Sequence, residues 1–144
     1  DGPLRQDLEN LACGCSLSEN VIFHGVLPSY RSIAEHMKSA SVLVSPSTRE
    51  GFNMVALEAI VAGTPVVIVD APQNAALDFV KHRRTGLVVE MENPQAIADA
   101  ITEIFEDARL RKRLVENALR TARGYSWDEI AQEMRRVYAK VAEA

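Results

Sequence analysis

Glu50 and Glu58 stand eight residues apart, in a stretch that reads Ser45-Pro46-Ser47-Thr48-Arg49-Glu50-Gly51-Phe52-Asn53-Met54-Val55-Ala56-Leu57-Glu58. A polar loop here leads from an apolar segment into a helix that is apolar almost all round. At such a junction the first backbone N–H groups of the helix lack internal partners and carry partial positive charge. A phosphate can dock on them. Gly51 has no Cβ, so a ligand can approach the backbone closely. On one helix, this spacing would set the two carboxylates about 12 Å apart along the axis and about 80° around it. That is the reach needed to touch two parts of one extended ligand. Glu58 lies among Val55, Ala56, Leu57, Ala59, Ile60 and Val61. A carboxylate is expensive to bury there without partners, so something should hydrogen-bond it. Ionised carboxylates accept hydrogen bonds from hydroxyls and repel phosphates. Both glutamates should therefore face sugar or ribose hydroxyls, leaving phosphate to the helix N-terminus. The bland alternatives are that Glu50 complements the helix dipole and that Glu58 pairs with a structural arginine.

The elements that must position these residues alternate between short apolar runs and helical patterns. Leu4 to Ala12 reads as a helix stopping near Gly14, and Val21 to His24 as a short strand ending at Gly25. Tyr30 to Lys38 is helical, with Ile33 and Met37 on one side. Ser41 to Ser45 is a second strand, closed by Pro46. Phe52 to Ala62 is the apolar helix; Gly63 ends it and Pro65 follows. Pro65 to Val69 is a continuous β-branched run, as in a strand covered on both faces. Ala75 to His82 reads as helix and Gly86 to Val89 as a fourth strand. Asn93-Pro94 is an N-cap with proline at the first helical position. Ile97, Ile101, Ile104 and Phe105 then share one face. Arg109 to Arg123 continues as helix. Ser126-Trp127-Asp128-Glu129 has capping-box spacing, and opens a last helix with an expected buried stripe of Ile130, Met134, Val137, Tyr138 and Val141. Strand and helix in alternation imply parallel strands with helical crossovers. The expected fold is α/β, a Rossmann-like, doubly wound parallel sheet with a helical C-terminus. Such sheets bind ligands at the carboxyl ends of their strands, here after Phe23, Val44 and Val69.

Bulk properties bound the rest. A length of 144 residues suits a single domain. The chain is 47% hydrophobic and 25% charged, enough to bury a core. A net charge of -4 argues against a nucleic-acid partner. No apolar run reaches the roughly 20 residues of a membrane span, and Asp1-Gly2-Pro3 shows no signal-peptide pattern, so a cytoplasmic setting is the default. Cys13 and Cys15 read as two reduced thiols near a helix end. His24, His36 and His82 have no ligand spacing, and no metal or cofactor is expected. Lys81-His82-Arg83-Arg84 reads as a solvated basic turn, with phosphate binding as the alternative. Arg49 could pair with Glu50 or reach phosphate.

With these residues in hand, the chain resembles the family 4 type of retaining, GT-B glycosyltransferases, in their C-terminal, donor-binding domain. Glu50 to Glu58 matches the family's Glu-x7-Glu motif, with the Ser-x-x-x-Glu-Gly-Phe lead-in before it. Leu57-Glu58-Ala59 and Ala62-Gly63-Thr64-Pro65-Val66-Val67 follow in the same context. Thr85-Gly86-Leu87-Val88-Val89 resembles Thr-Gly-Leu-Leu-Val, and Tyr125-Ser126-Trp127 resembles Phe-Ser-Trp. Gly2-Pro3 and Val21-Ile22-Phe23-His24-Gly25 also fit, so the likeness covers nearly the whole chain. It implies transfer of a sugar from a nucleotide-diphosphate donor, UDP- or GDP-linked, to an acceptor hydroxyl with retained configuration. It implies that Glu50 holds the donor sugar and Glu58 the ribose. Backbone at Gly51, Phe52 and Asn53 would approach the diphosphate and sugar, and the turn at Gly25-Val26 would lie near the base.

Two departures stand out. The family usually has glycine where Asn53 stands, and asparagine tolerates unusual backbone angles better than most residues. Its Gly-Gly-x-x-Glu is replaced by Asp70-Ala71-Pro72-Gln73-Asn74-Ala75-Ala76-Leu77-Asp78. Asp78 either replaces the glutamate or is a residue of a helix's first turn with no ligand role. The likeness also implies that residues 1–144 form one nucleotide-sugar-binding domain lacking its first β-α-β segment and the N-terminal acceptor domain. The chain alone would then be inactive, with a disrupted or borrowed sheet centre. Rival readings are a GT-B type nucleotide-sugar epimerase and a non-catalytic α/β interaction module comparable to a receiver domain.

Overall fold

The computed structural model describes residues 2–142. The chain divides into two compact units, Asp1–Ile33 and Ala34–Ala144.

The N-terminal unit is built on helix α1 (Arg5–Gly14). Arg5 ties the following segment back to it. Its Nε pairs with Glu9 at 2.8 Å, an amino group donates to the Phe23 carbonyl at 3.1 Å, and the guanidinium lies 5.9 Å from the centre of the Phe23 ring. Cys13 sits in the last turn of α1 and Cys15 caps it; both are free and exposed. Residues 21–24, expected as a strand, are irregular. A strand exists only through a neighbour's hydrogen bonds, and among the described residues this segment has no ladder partner. Helix α2 (Tyr30–Ser39) contains the division between the units.

The second unit holds strands β1 (Leu43–Ser45) and β2 (Arg49–Glu50), then helix α3 (Met54–Val61). Strands β3 (Val66–Asp70) and β4 (Gln73–Asn74) follow, then a 3₁₀ turn, Ala75–Asp78, and strand β5 (Leu87–Glu90). Helices α4 (Pro94–Glu106), α5 (Ala108–Ala122) and α6 (Trp127–Ala142) close the chain. The main sheet is parallel with order β1-β3-β5, and β2 pairs with β4 in a separate parallel ladder of two residues per strand. Successive strand residues face opposite sides of a sheet, and Val66, Val67, Ile68 and Val69 are all at most 2% exposed. Both faces of β3 are therefore covered, as its unbroken β-branched run foretold. On one face Val67 and Leu87 pack with Ala100, Ile104, Leu110 and Leu114 from α4 and α5. Chain order and sheet make this the α/β parallel fold expected from the sequence, with a helical C-terminus.

The expected caps form, with Ser126 making one half of the capping box while its own amide donates to the Arg123 carbonyl at 3.2 Å. Asn93 accepts from the Ala96 amide at 3.0 Å, and Ser126 from the Glu129 amide at 3.3 Å. Helix α3 ends on a Schellman motif: Gly63, at φ 85°, donates to Ile60, and Thr64 to Ala59.

Three other expectations are corrected. The apolar helix begins at Met54, not Phe52, because Asn53 stands outside it in the left-handed region. Ala75 to His82 is not an α-helix. It stops after one 3₁₀ turn, because Phe79 and Val80 turn inward, each 1% exposed, and Thr85 pins the reversal. The Thr85 hydroxyl donates to the Phe79 carbonyl at 2.8 Å and accepts from the Lys81 amide at 2.7 Å. The expected stripe on α6 is not buried: Ile130, Met134, Val137, Tyr138 and Val141 are 38–71% exposed. The spacing is amphipathic, but no described element packs along it. No helix among the described residues is long and apolar enough to cross a membrane.

Gly86 is demanded by packing. A Cβ there would lie 2.6 Å from Val80 Cγ1 and 2.9 Å from both Val66 Cγ2 and the Val66 carbonyl oxygen. The carbonyl belongs to the central strand and cannot yield without disturbing the ladder. Gly86→Ala is expected to lower stability by about 1–3 kcal/mol, read as a lower urea midpoint. An unchanged midpoint would mean that β5 shifts freely against β3.

Candidate functional site

The site grows from the carboxyl end of β1. Pro46 ends the strand, the chain loops through Ser47 and Thr48, and β2 carries Arg49 and Glu50 alongside β4. Glu50 is half-buried and stands in register with Asn74. It lies on a short strand, not on the helix that holds Glu58. The single-helix spacing therefore does not apply, and a turn, Gly51-Phe52, separates the two carboxylates.

Asn53 makes the junction. It is 4% exposed and adopts φ 61°, ψ 60°. Only glycine and, among side-chain residues, chiefly asparagine and aspartate enter this region readily. Asparagine is thus a residue type able to hold the conformation found here. The side chain is used internally: Oδ1 caps α3 by accepting from the Ala56 amide at 3.2 Å, and Nδ2 donates to Ser45 Oγ at 3.0 Å. Both polar atoms of the Asn53 side chain are thus engaged with the fold. The next amides, Met54 and Val55, stand in the first turn, where no helical carbonyl reaches them.

Gly51 differs from Gly86. A Cβ at Gly51 would meet nothing within 4 Å, and its φ lies outside the left-handed region. Nothing inside the described protein requires glycine there. Phe52, 37% exposed, forms a three-ring cluster with Phe79 and Tyr125, with all centroid separations 5.6 Å. The ring contacts anchor the turn through the Phe52 side chain. Tyr125 is thus the supporting element of the motif near the C-terminus. Glu58 is half-buried, on the second turn of α3, between the buried Leu57 and Ala59.

Sequence reasoning missed Asn74, which is 2% exposed. Its Oδ1 accepts from the Ala76 amide at 3.2 Å, and Nδ2 donates to the Val69 carbonyl at 3.1 Å and the Ser47 carbonyl at 3.3 Å. No local sequence signal marks it, since its loop partner Ser47 lies 27 residues away. Asp78 lies in the first and only turn of the 3₁₀ helix and is exposed, as a helix-turn residue. The basic run makes a turn, as its bland reading had it. Arg83, at φ 57°, pairs with Glu103, and Lys81 Nζ donates to the Leu77 carbonyl at 2.6 Å. His82 is structural, its Nδ1 accepting from the Val88 amide at 3.1 Å. Arg49 is exposed. Gly25 and Val26 belong to the N-terminal unit. Gly25, at φ 65°, lines a hollow there with Pro3, Arg5 and Phe23, and Val26 is 81% exposed.

This arrangement sets hydroxyl-accepting carboxylates on either side of a bare turn and a helix amino end. The family model described as "Glycosyl transferases group 1" matches residues 1–121. An uncharacterized glycosyltransferase of Methanocaldococcus jannaschii is 36% identical over 138 residues, 95% of this chain and 35% of that protein. A D-inositol 3-phosphate glycosyltransferase of Xylanimonas cellulosilytica is 35% identical over 137 residues, 94% of this chain and 32% of that protein. Among solved structures, sucrose-phosphate synthase from Thermosynechococcus elongatus superposes with a TM-score of 0.86 at 29% identity, over 99% of this chain and 35% of that one. The chain spans about a third of the length of these relatives.

Proposed function

This chain belongs to the glycosyl transferases group 1 family, and from that premise we propose that it is the donor-binding part of a retaining, GT-B glycosyltransferase of the family 4 type. The substrate is a nucleotide-diphosphate sugar, UDP- or GDP-linked, and the acceptor is a hydroxyl. The observation that carries the reading is the pair of half-buried carboxylates, Glu50 and Glu58, flanking an open glycine and the amino end of α3.

In this reading Glu50 accepts hydrogen bonds from donor-sugar hydroxyls and Glu58 from the ribose. The diphosphate lies on the backbone from Gly51 to the first turn of α3, where unpaired amides and the helix dipole favour anions. These amides stabilise the negative charge that grows on the leaving diphosphate. Holding the sugar at a fixed angle to the acceptor supplies the rest of the rate. Neither glutamate is a covalent nucleophile, because both are engaged with hydroxyls, and no metal is required. The acceptor sits on a further N-terminal domain, and a preceding β-α-β segment covers the outer edge of β1. The whole protein works in the cytoplasm, and this chain alone does not turn over.

The test is a ¹⁵N–¹H NMR titration of the chain with UDP-glucose, GDP-mannose and ADP-glucose. Shifts confined to Gly51 through Glu58 for one nucleotide class are expected. A dispersed spectrum indifferent to all three, both for this chain and for one extended upstream, would reject the reading.

A further inference from the structure

We propose that Asn74 is a positioning residue for Glu50, a latch that ties together the carboxyl ends of β1 and β3. The role in donor binding rests on the function proposed above. The β2–β4 ladder spans only two residues per strand. Ladders this short are not stable by themselves, so something else must hold Glu50 at its level above the sheet. Asn74 is the residue in register with Glu50. Its single carboxamide bonds to three pieces of backbone: the Val69 carbonyl near the end of β3, the Ser47 carbonyl in the loop leading into β2, and the Ala76 amide in the 3₁₀ turn. Ser47 and Asn74 lie 27 residues apart in sequence, and no local turn would bring them together.

The chemistry of the site calls for a carboxamide. Two carbonyls take a donor and one amide takes an acceptor; the bonds to Val69 and Ala76 are buried and the one to Ser47 is partly so. An aspartate of the same shape accepts but does not donate when ionised, and would face two carbonyl oxygens. An alanine removes one partner from each of the three groups. Asn53 serves the opposite flank in the same way, bridging Ser45 to α3. Glu50 and its turn are thus held between two buried asparagines, one at each end.

The test compares Asn74→Ala, Asn74→Asp and Asn74→Ser in the whole chain, by amide hydrogen exchange without ligand and by titration with UDP-glucose and GDP-mannose. Exchange at residues 48–51 is expected to quicken about tenfold or more, while Val67 to Val69 keep their protection, since the loop opens locally. Affinity for the sugar nucleotide that wild type binds is expected to fall about tenfold, the effect of losing roughly one buried hydrogen bond to the loop. In a Glu50→Ala background the same change should lower affinity by less than about twofold, because a residue that acts through Glu50 is not additive with it. Equal losses with and without Glu50 would make Asn74 merely structural and overturn the proposal. So would unchanged exchange at residues 48–51. Should the alanine variant fail to fold, the serine variant, which keeps a hydroxyl donor and acceptor, carries the same comparison. A wild-type protein that binds no sugar nucleotide, neither as this chain nor extended upstream, overturns the donor reading and the donor role of Asn74 with it. Intact wild-type binding beside an unaffected Asn74 variant overturns the latch alone.

Discussion

Glu58→Ala is expected to weaken nucleotide-sugar binding about 10- to 100-fold, the worth of charge-assisted hydrogen bonds to a ribose, and to leave thermal stability unchanged or slightly raised. The two halves of this result come from the same position. Glu58 sits half-buried on α3 between two buried residues, Leu57 and Ala59. Its neighbours along the helix are apolar, so the carboxylate serves no visible packing purpose. Alanine is the better helix former, and removing the carboxylate relieves its partial desolvation. If Glu58 served the fold, the unfolding temperature would fall with the affinity. Calorimetric titration and thermal unfolding of the same samples separate the cases. A drop in melting temperature with unchanged affinity would make Glu58 structural. Glu58→Gln keeps an acceptor oxygen without the charge and should fall between wild type and alanine.

The parts of the fold that local chemistry determines were legible in the sequence. The β-branched run at Val66–Val69, the Asn93 and Ser126 caps, and the Gly63 terminator of α3 each act within a few residues of themselves. The parts that failed depend on distant partners. Residues 21–24 have strand composition, but composition cannot supply a neighbouring ladder. The stripe on α6 has the right period, but period reports amphipathicity and not which surface covers it. Ala75 to His82 has helical propensity, and the demand to bury Phe79 and Val80 beneath Thr85 overrides it.

At the site, the same division holds. Asn53 at a family glycine position was readable as a left-handed residue, because that preference is intrinsic to its side chain. Its double duty as helix cap and tie to Ser45 was not, since Ser45 lies eight residues away on a strand. Asn74 was invisible for the same reason, its loop partner being 27 residues distant. Phe52 and Tyr125 were quoted as separate motifs, and only the fold shows that they meet. The carboxylates were found by type and spacing, yet their geometry differs: Glu50 is placed by a strand pair, and Glu58 by a helix. The two carboxylates are therefore set by two different elements, with the turn at Gly51-Phe52 between them.

That turn supports the second large effect. Gly51→Ala is expected to lower donor affinity about tenfold or more, the equivalent of roughly 1–3 kcal/mol of forced overpacking against the ligand, without any loss of stability. Gly86 provides the internal contrast. Its missing Cβ leaves room that Val80 and the Val66 carbonyl already fill, so alanine there destabilises the protein itself. At Gly51 the space beyond the backbone is open, and the backbone angle suits any residue. A glycine that the protein does not need for itself is needed by what approaches it, or not at all. The measurement is the pair of quantities for both variants, urea midpoint and donor affinity. Gly86→Ala should move the first and, where still folded, spare the second. Gly51→Ala should do the reverse. If Gly51→Ala binds the donor as wild type does, the diphosphate does not cross this turn, and the assignment of the turn and the amino end of α3 to phosphate fails even if Glu58 still governs affinity.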